Sequence, residues 1–314
     1  MSEGCVKSWS DERRRAVLAW VIIVSLYILI RGVPFDRVSQ ALIIISAALA
    51  FAVGTEHKWQ RTLRDWIPFF LLLFAYDFTR GLADNLGRHI LVDEVYHLEL
   101  SWFGRFFDGV IPSVWLQHHL FDPNHIAWWE GLVALMYCSH FVVPWAIVGV
   151  LYVRNRDEWA KFARRVIAIS MTALITYVLV PAGPPWFASR QGLCDPLFRV
   201  VTRGWQLLGI PAAGQLVSLG QGIANDVAAL PSLHAGMTAT VSLFFWQRIR
   251  PRYRPLLVAY MLFMVFTLVY GAEHYIFDAL LGFLYAGIVE FGCRAWESRH
   301  SGHKVDVQVK GSTT

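Results

Sequence analysis

The chain of 314 residues is 56% hydrophobic and only 16% charged, with a mean hydropathy of +0.44. That balance is too apolar for a soluble domain of this length and points to a polytopic membrane protein. The formal net charge of +5 then marks loops on the cytoplasmic side of a membrane, and nucleic acid is not the expected partner.

Uncharged runs follow one another at Ala16–Ile30, Val38–Thr55, Trp66–Tyr76, Gly131–Val153, Val166–Ser189, Val227–Gln247, Pro255–Ala272 and Ala279–Val289. A span needs about 20 mostly apolar residues, and the shorter runs reach that length when flanking charges snorkel or face the bundle interior. The expected fold is therefore all-α, a membrane bundle of about eight transmembrane helices. Residues 1–60 hold two N-terminal membrane helices, 61–297 the remaining six, and 298–314 a polar tail expected to be disordered. Arg13-Arg14-Arg15 before an apolar run also fits a secretory signal, but no small-residue cleavage site follows. Cys5, Cys138, Cys194 and Cys293 form no Cys-x-x-Cys pair and no metal-ligand spacing, so neither a disulfide framework nor a zinc site is expected. His118, His119 and His125 are too loosely spaced to add a metal site, and no cofactor is implied.

Short cytoplasmic loops accumulate Lys and Arg. With the N-terminus inside, the inside segments hold 20 of the 28 basic residues. Both termini are expected in the cytoplasm of a plasma-membrane protein, and the two long connections, Gly81 to His125 and Ala182 to Leu230, outside. Trp102, Trp115, Trp128, Trp129, Trp186 and Trp205 fall in or beside those connections, as an interfacial aromatic belt would. Asp77 and Asp278 cut apolar runs near their outer ends, where the stretch Leu230-Pro231-Ser232-Leu233-His234 opens another. Ionisable groups at such places are costly and point to function.

His274 and Asp278 stand at i, i+4, which sets them on one helix face about 6 Å apart at Cβ. A carboxylate there can accept the Nδ1 hydrogen and leave Nε2 as nucleophile or base. Pro231 suits a first helical turn, whose free N–H groups form an anion site to which the Ser232 hydroxyl can add. His234 would stand on that turn as a proton donor.

Together, Pro231, Ser232 and His234 with His274 and Asp278 resemble the Pro-Ser-x-His and His-x-x-x-Asp motifs of the type 2 phosphatidic acid phosphatase superfamily. The resemblance covers roughly Trp66 to Glu290 and implies a six-helix catalytic core. It also implies that His274 attacks phosphorus to give a phosphohistidine, Asp278 orients it, and His234 protonates the leaving oxygen, without a metal. The family's first motif, a Lys followed at a distance by Arg-Pro, is absent, and Thr267 and Leu268 replace the Ser-Arg that opens the third. Ala182-Gly183-Pro184-Pro185-Trp186 and Glu273-His274-Tyr275 instead resemble the inositol phosphorylceramide synthase (inositolphosphotransferase) branch, whose members transfer a phospho-headgroup between lipids. Arg80 is the first candidate to hold the phosphate and Arg190 the second; snorkelling to headgroups explains Arg80 equally well. His140, in mid-span, reads as a hydrogen-bonded structural residue. The expected function is a lipid phosphotransferase at the outer membrane face with membrane lipids as substrates, the alternatives being a lipid phosphate phosphatase, a transporter or, less consistently with the motif order, an intramembrane serine protease using Ser232.

Overall fold

The computed structural model describes residues 3–31, 37–54, 61, 63–68, 71, 74–75, 89–223 and 228–310. Every named element is helical: α1 Glu3–Arg31, α2 Arg37–Ala52, α3 Asp93–Phe103, α4 Pro112–Leu120, α5 Glu130–Arg154, α6 Arg156–Leu179, α7 Pro185–Arg190, α8 Pro211–Ile223, α9 Leu233–Trp246, α10 Arg254–Tyr270 and α11 Ile276–Lys310. Among the described residues, four helical stretches are long and apolar enough to cross a membrane: Glu130–Arg154, Arg156–Leu179, Pro251–Tyr270 and Ile276–His300. Their outward faces carry Leu135, Val142, Ile175, Leu262 and Leu284, all exposed, as a lipid solvent requires. The chain is an integral-membrane helix bundle.

Helix boundaries depart from the apolar runs where polar groups find partners. α6 starts at Arg156, ten residues before its apolar run, because Asn155 accepts the Glu158 N–H and caps it. The charges this brings into the bundle are paired. Arg165, 1% exposed, donates to Glu290 at 2.6 Å and to Glu297 at 2.7 Å, tying α6 to α11. α6 stops at Leu179, so the run expected to reach Ser189 is broken; Pro181 follows, and the chain turns into the separate short helix α7. α11 continues to Lys310, so residues 298–310, expected as disordered tail, are helical; no proline interrupts the stretch. α1 and α2 form a hairpin held by Arg13 Nε to the Val53 carbonyl and Trp20 to Ser46. Ile44 and Ala48 of α2 pack on the bundle core beside Val148, Trp159 and Phe162.

α9 and α11 approach most closely where Gly236 faces Gly282. A Cβ on Gly282 would lie 2.4 Å from the Ser232 carbonyl, and one on Gly236 3.2 Å from the Gly282 carbonyl. Small residues let backbones meet in a bundle that has no hydrophobic effect between helices to draw on. Just above this crossing the Ser232 N–H donates to the Asp278 carbonyl at 3.0 Å.

The long connections are folded. Leu91, Ala182 and Ala228 lie side by side in two parallel bridges, with Leu91 N–H to Pro181, Gly183 N–H to Leu91 and Ala229 N–H to Ala182. This clasp fixes α3, the Pro184-Pro185 segment and the approach to α9 against one another.

Candidate active site

Ser232 is the N-cap of α9, its Oγ accepting the Ala235 N–H at 3.3 Å. Pro231 therefore precedes the helix and does not occupy its first turn; its carbonyl accepts the Tyr177 hydroxyl instead. Ser232 is fully buried, with its hydroxyl engaged at the helix start. His234 follows in the first turn. Its ring stacks on Tyr137 with centroids 4.8 Å apart and meets His140 at 4.1 Å, both from α5. The Nε2 of His234 is buried and has no hydrogen-bond partner among the described residues, as is also true of Asp278 Oδ1.

The α10–α11 loop carries the other half. His274 Nδ1 lies 3.4 Å from Asp278 Oδ2, a long contact of the kind that tightens when substrate is bound. Asp278 is fully buried and the same oxygen accepts the Tyr275 N–H at 2.9 Å. Facing Asp278 with Nδ1, the His274 ring turns Nε2 away from the carboxylate. The His234 and His274 centroids are 5.7 Å apart, so an imidazole from the first turn of α9 and one from the α10–α11 loop lie beside each other. Ala272 holds a left-handed backbone at φ 56°, a conformation costing a non-glycine residue about 1 kcal/mol. Its carbonyl accepts the Trp186 N–H at 3.2 Å, which joins the Pro-Pro-Trp segment to the histidine loop.

Trp186 is only 4% exposed, so of the six tryptophans expected in an interfacial belt this one is a wall of the site; Trp102 and Trp128 stay exposed at 53% and 78%. The reason is the hydrogen bond just named, together with two guanidinium groups, of Arg190 and Arg199, each 4.7 Å from its ring centroid. Arg199 also grips Glu273 through two bonds, Nε at 3.0 Å and Nη2 at 2.8 Å. Glu273 accepts from Gln221 of α8 at 2.8 Å, and Gln221 reaches the Tyr137 hydroxyl at 3.2 Å. A continuous polar chain thus runs from Arg199 through Glu273 and Gln221 to Tyr137, the ring that stacks on His234.

A family model described as the PAP2 superfamily matches residues 109–290, more than half of the chain. The chain belongs to the PAP2 superfamily. The match begins just before α4 and ends inside α11, so it contains both histidines, Asp278 and the Trp186 wall. Within the superfamily, this chain is 25% identical over 289 residues to phosphoinositol dihydroceramide synthase of Bacteroides thetaiotaomicron, covering 86% of this chain and 88% of that one. It is 26% identical over 150 residues to the inositol phosphorylceramide synthase catalytic subunit of Saccharomyces cerevisiae, covering 46% of this chain and 36% of that one. The corresponding subunit of Schizosaccharomyces pombe matches over 147 residues at the same identity, covering 35% of its length. No solved structure matches the chain. These relatives are of the branch that the Ala-Gly-Pro-Pro-Trp and Glu-His-Tyr segments resemble, and the chain is a PAP2-superfamily phosphatase or phosphotransferase.

Of the residues singled out from the sequence, His234, His274, Asp278 and Ser232 come together. Arg190 is exposed and stands over Trp186, one ring away from the histidine loop. Arg80 lies outside the described residues. Sequence reasoning missed Arg199, Gln221 and Tyr137 altogether, and gave Glu273 no role. The signal for Arg199 was present in one respect, as it is one of only eight basic residues assigned to the outer segments. His140, expected as a hydrogen-bonded structural residue rather than a third catalyst, has the ring nearest to that of His234, with centroids 4.1 Å apart.

Proposed function

We propose that this membrane protein is a lipid phosphotransferase that works through a phosphohistidine on His274. The observation that carries the reading is the pairing of His274 and Asp278 across 3.4 Å with the His234 ring 5.7 Å from that of His274. In the first half-reaction His274 Nε2 attacks phosphorus, the bond from phosphorus to the lipid oxygen breaks, and His234 gives that oxygen its proton. In the second, an acceptor hydroxyl attacks the phosphohistidine, His234 takes its proton, and His274 leaves. Asp278 keeps the tautomer and favours the positive charge that develops on the imidazole. Arg199 and Arg190 beside Trp186, with Arg80, supply the cations for the phosphate.

Transfer is favoured over hydrolysis because the site is walled by Trp186 and bridged by α8 through Gln221, an arrangement that holds an acceptor and limits water. The names of the relatives suggest an inositol phosphate-bearing lipid as donor and a ceramide-type alcohol as acceptor. In this reading the site faces outward in a chain of about eight spans with both termini in the cytoplasm, which the assignment of 20 of the 28 basic residues to inside segments supports. The test supplies purified protein in detergent and EDTA with labelled donor lipid, alone and with ceramide, dihydroceramide or diacylglycerol. Labelled acceptor product with little free headgroup phosphate is expected. Release to water at the same rate with every acceptor would make the protein a lipid phosphatase.

A further inference from the structure

The start of α11 is capped from outside its own sequence. The first N–H groups of a helix have no partner within it, and the preceding residue normally offers a short side-chain acceptor. Here that residue is Tyr275, which has none. Asp278, three positions on, returns to the Tyr275 N–H as the carboxylate of a capping box does. The missing half comes from α3: Glu99 Oε1 accepts the Ile276 N–H at 2.9 Å and Oε2 the Phe277 N–H at 3.1 Å. Two carboxylates therefore divide three successive N–H groups. With 276 and 277 held by Glu99, the Asp278 oxygen that takes Tyr275 is also the one turned to His274 Nδ1.

Glu99 is 1% exposed and shares the buried face of α3 with Val95, which packs with Ile111, Val114, Leu230 and Tyr275. Burying a carboxylate opposes folding unless its charge is matched, so filling space does not account for it. Burial pushes its carboxyl up to about 7 against the pull of the two N–H groups, the Asp278 charge adding to the rise. α3 is itself fixed by the Leu91–Ala182 clasp, so the cap is anchored to the segment that carries Trp186.

We propose that Glu99 is a positioning residue for the phosphotransfer, fixing the first turn of α11 so that His274 and Asp278 keep their orientation toward His234. The proposal rests on the two-histidine reading given above. Glu99→Gln preserves the shape but offers one acceptor oxygen and turns an amide N–H toward a backbone N–H. In the labelled-donor assay with full-length protein it should lose about 10- to 100-fold in kcat while the donor KM stays within about twofold, the signature of a misaligned reacting group. Glu99→Asp, shorter but still anionic, should recover part of that loss. Wild-type kcat in Glu99→Gln overturns the proposal, as does a kcat loss no larger than the rise in KM. Should Glu99→Gln fail to fold, an unchanged kcat in Glu99→Asp overturns it equally. A His274→Ala arm separates the two ideas. Turnover by His274→Ala refutes the two-histidine reading itself, whereas an inactive His274→Ala beside a fully active Glu99→Gln refutes only the role of Glu99.

Discussion

At the scale of single residues, the proposed chemistry divides by atom. His274→Ala should abolish both turnover and any acid-labile phosphoenzyme, checked by trapping with labelled donor and acid quench. Asp278→Asn keeps the volume but loses the charge and the preferred tautomer, and kcat should fall by about 10² to 10⁴. Because one histidine must be neutral and the other protonated, kcat/KM should be bell-shaped in pH, and His234→Gln should lose one limb along with most of the rate. The two arginines on Trp186 differ in constraint. Arg199 is aligned by both Glu273 oxygens, while Arg190 is exposed. Arg199→Lys should therefore cut kcat/KM by about tenfold or more, since lysine cannot make the forked contact, and Arg190→Lys should cut it less.

At the scale of elements, the crossing of α9 and α11 decides whether the two histidines face each other. A methyl on Gly282 would meet the Ser232 carbonyl at 2.4 Å, so α9 would have to retreat, taking His234 with it. Gly282→Ala should lower stability by about 1 to 3 kcal/mol and cost activity out of proportion to the folded fraction. Gly236→Ala meets its nearest neighbour at 3.2 Å and should be the milder change. Thermal unfolding in detergent, run beside the transfer assay, checks the order. The Pro184-Pro185-Trp186 turn belongs to this scale too. Its N–H bond to Ala272 and the bridge through Ala182 connect the break after α6 to the α10–α11 loop and to the approach to α9.

At the scale of the molecule, charge and polarity separate the two ends of the bundle. Arg164, Arg165, Glu290 and Glu297 form a paired cluster at one end, and the histidines lie toward the other. With 20 of 28 basic residues assigned inside, the histidine end should face outward. A membrane-impermeant thiol reagent applied to intact cells should label a cysteine at Gln191 and not one at Ser301, in a background lacking the native cysteines. Labelling of Ser301 alone would put the histidines on the cytoplasmic side.

Local pattern was enough for the helical membrane class, because apolar length and the absence of charge are properties of contiguous sequence. It brought out the His274–Asp278 pair, though not as two positions on one helix face: α11 starts at Ile276, and His274 meets Asp278 from the loop before it; it also served for Ser232 and His234 at a helix start. It overran α6 and began α9 too early, because an apolar run does not say where a cap or a proline ends a helix. It set the tryptophans in a belt, while only the fold turns Trp186 inward. The grip of Arg199 on Glu273 spans 74 positions and that of Glu99 on Ile276 spans 177, and neither has a sequence period. Those contacts exist because the outer connections fold back over the helix ends, where buried N–H groups and charges must find partners that their own segments lack.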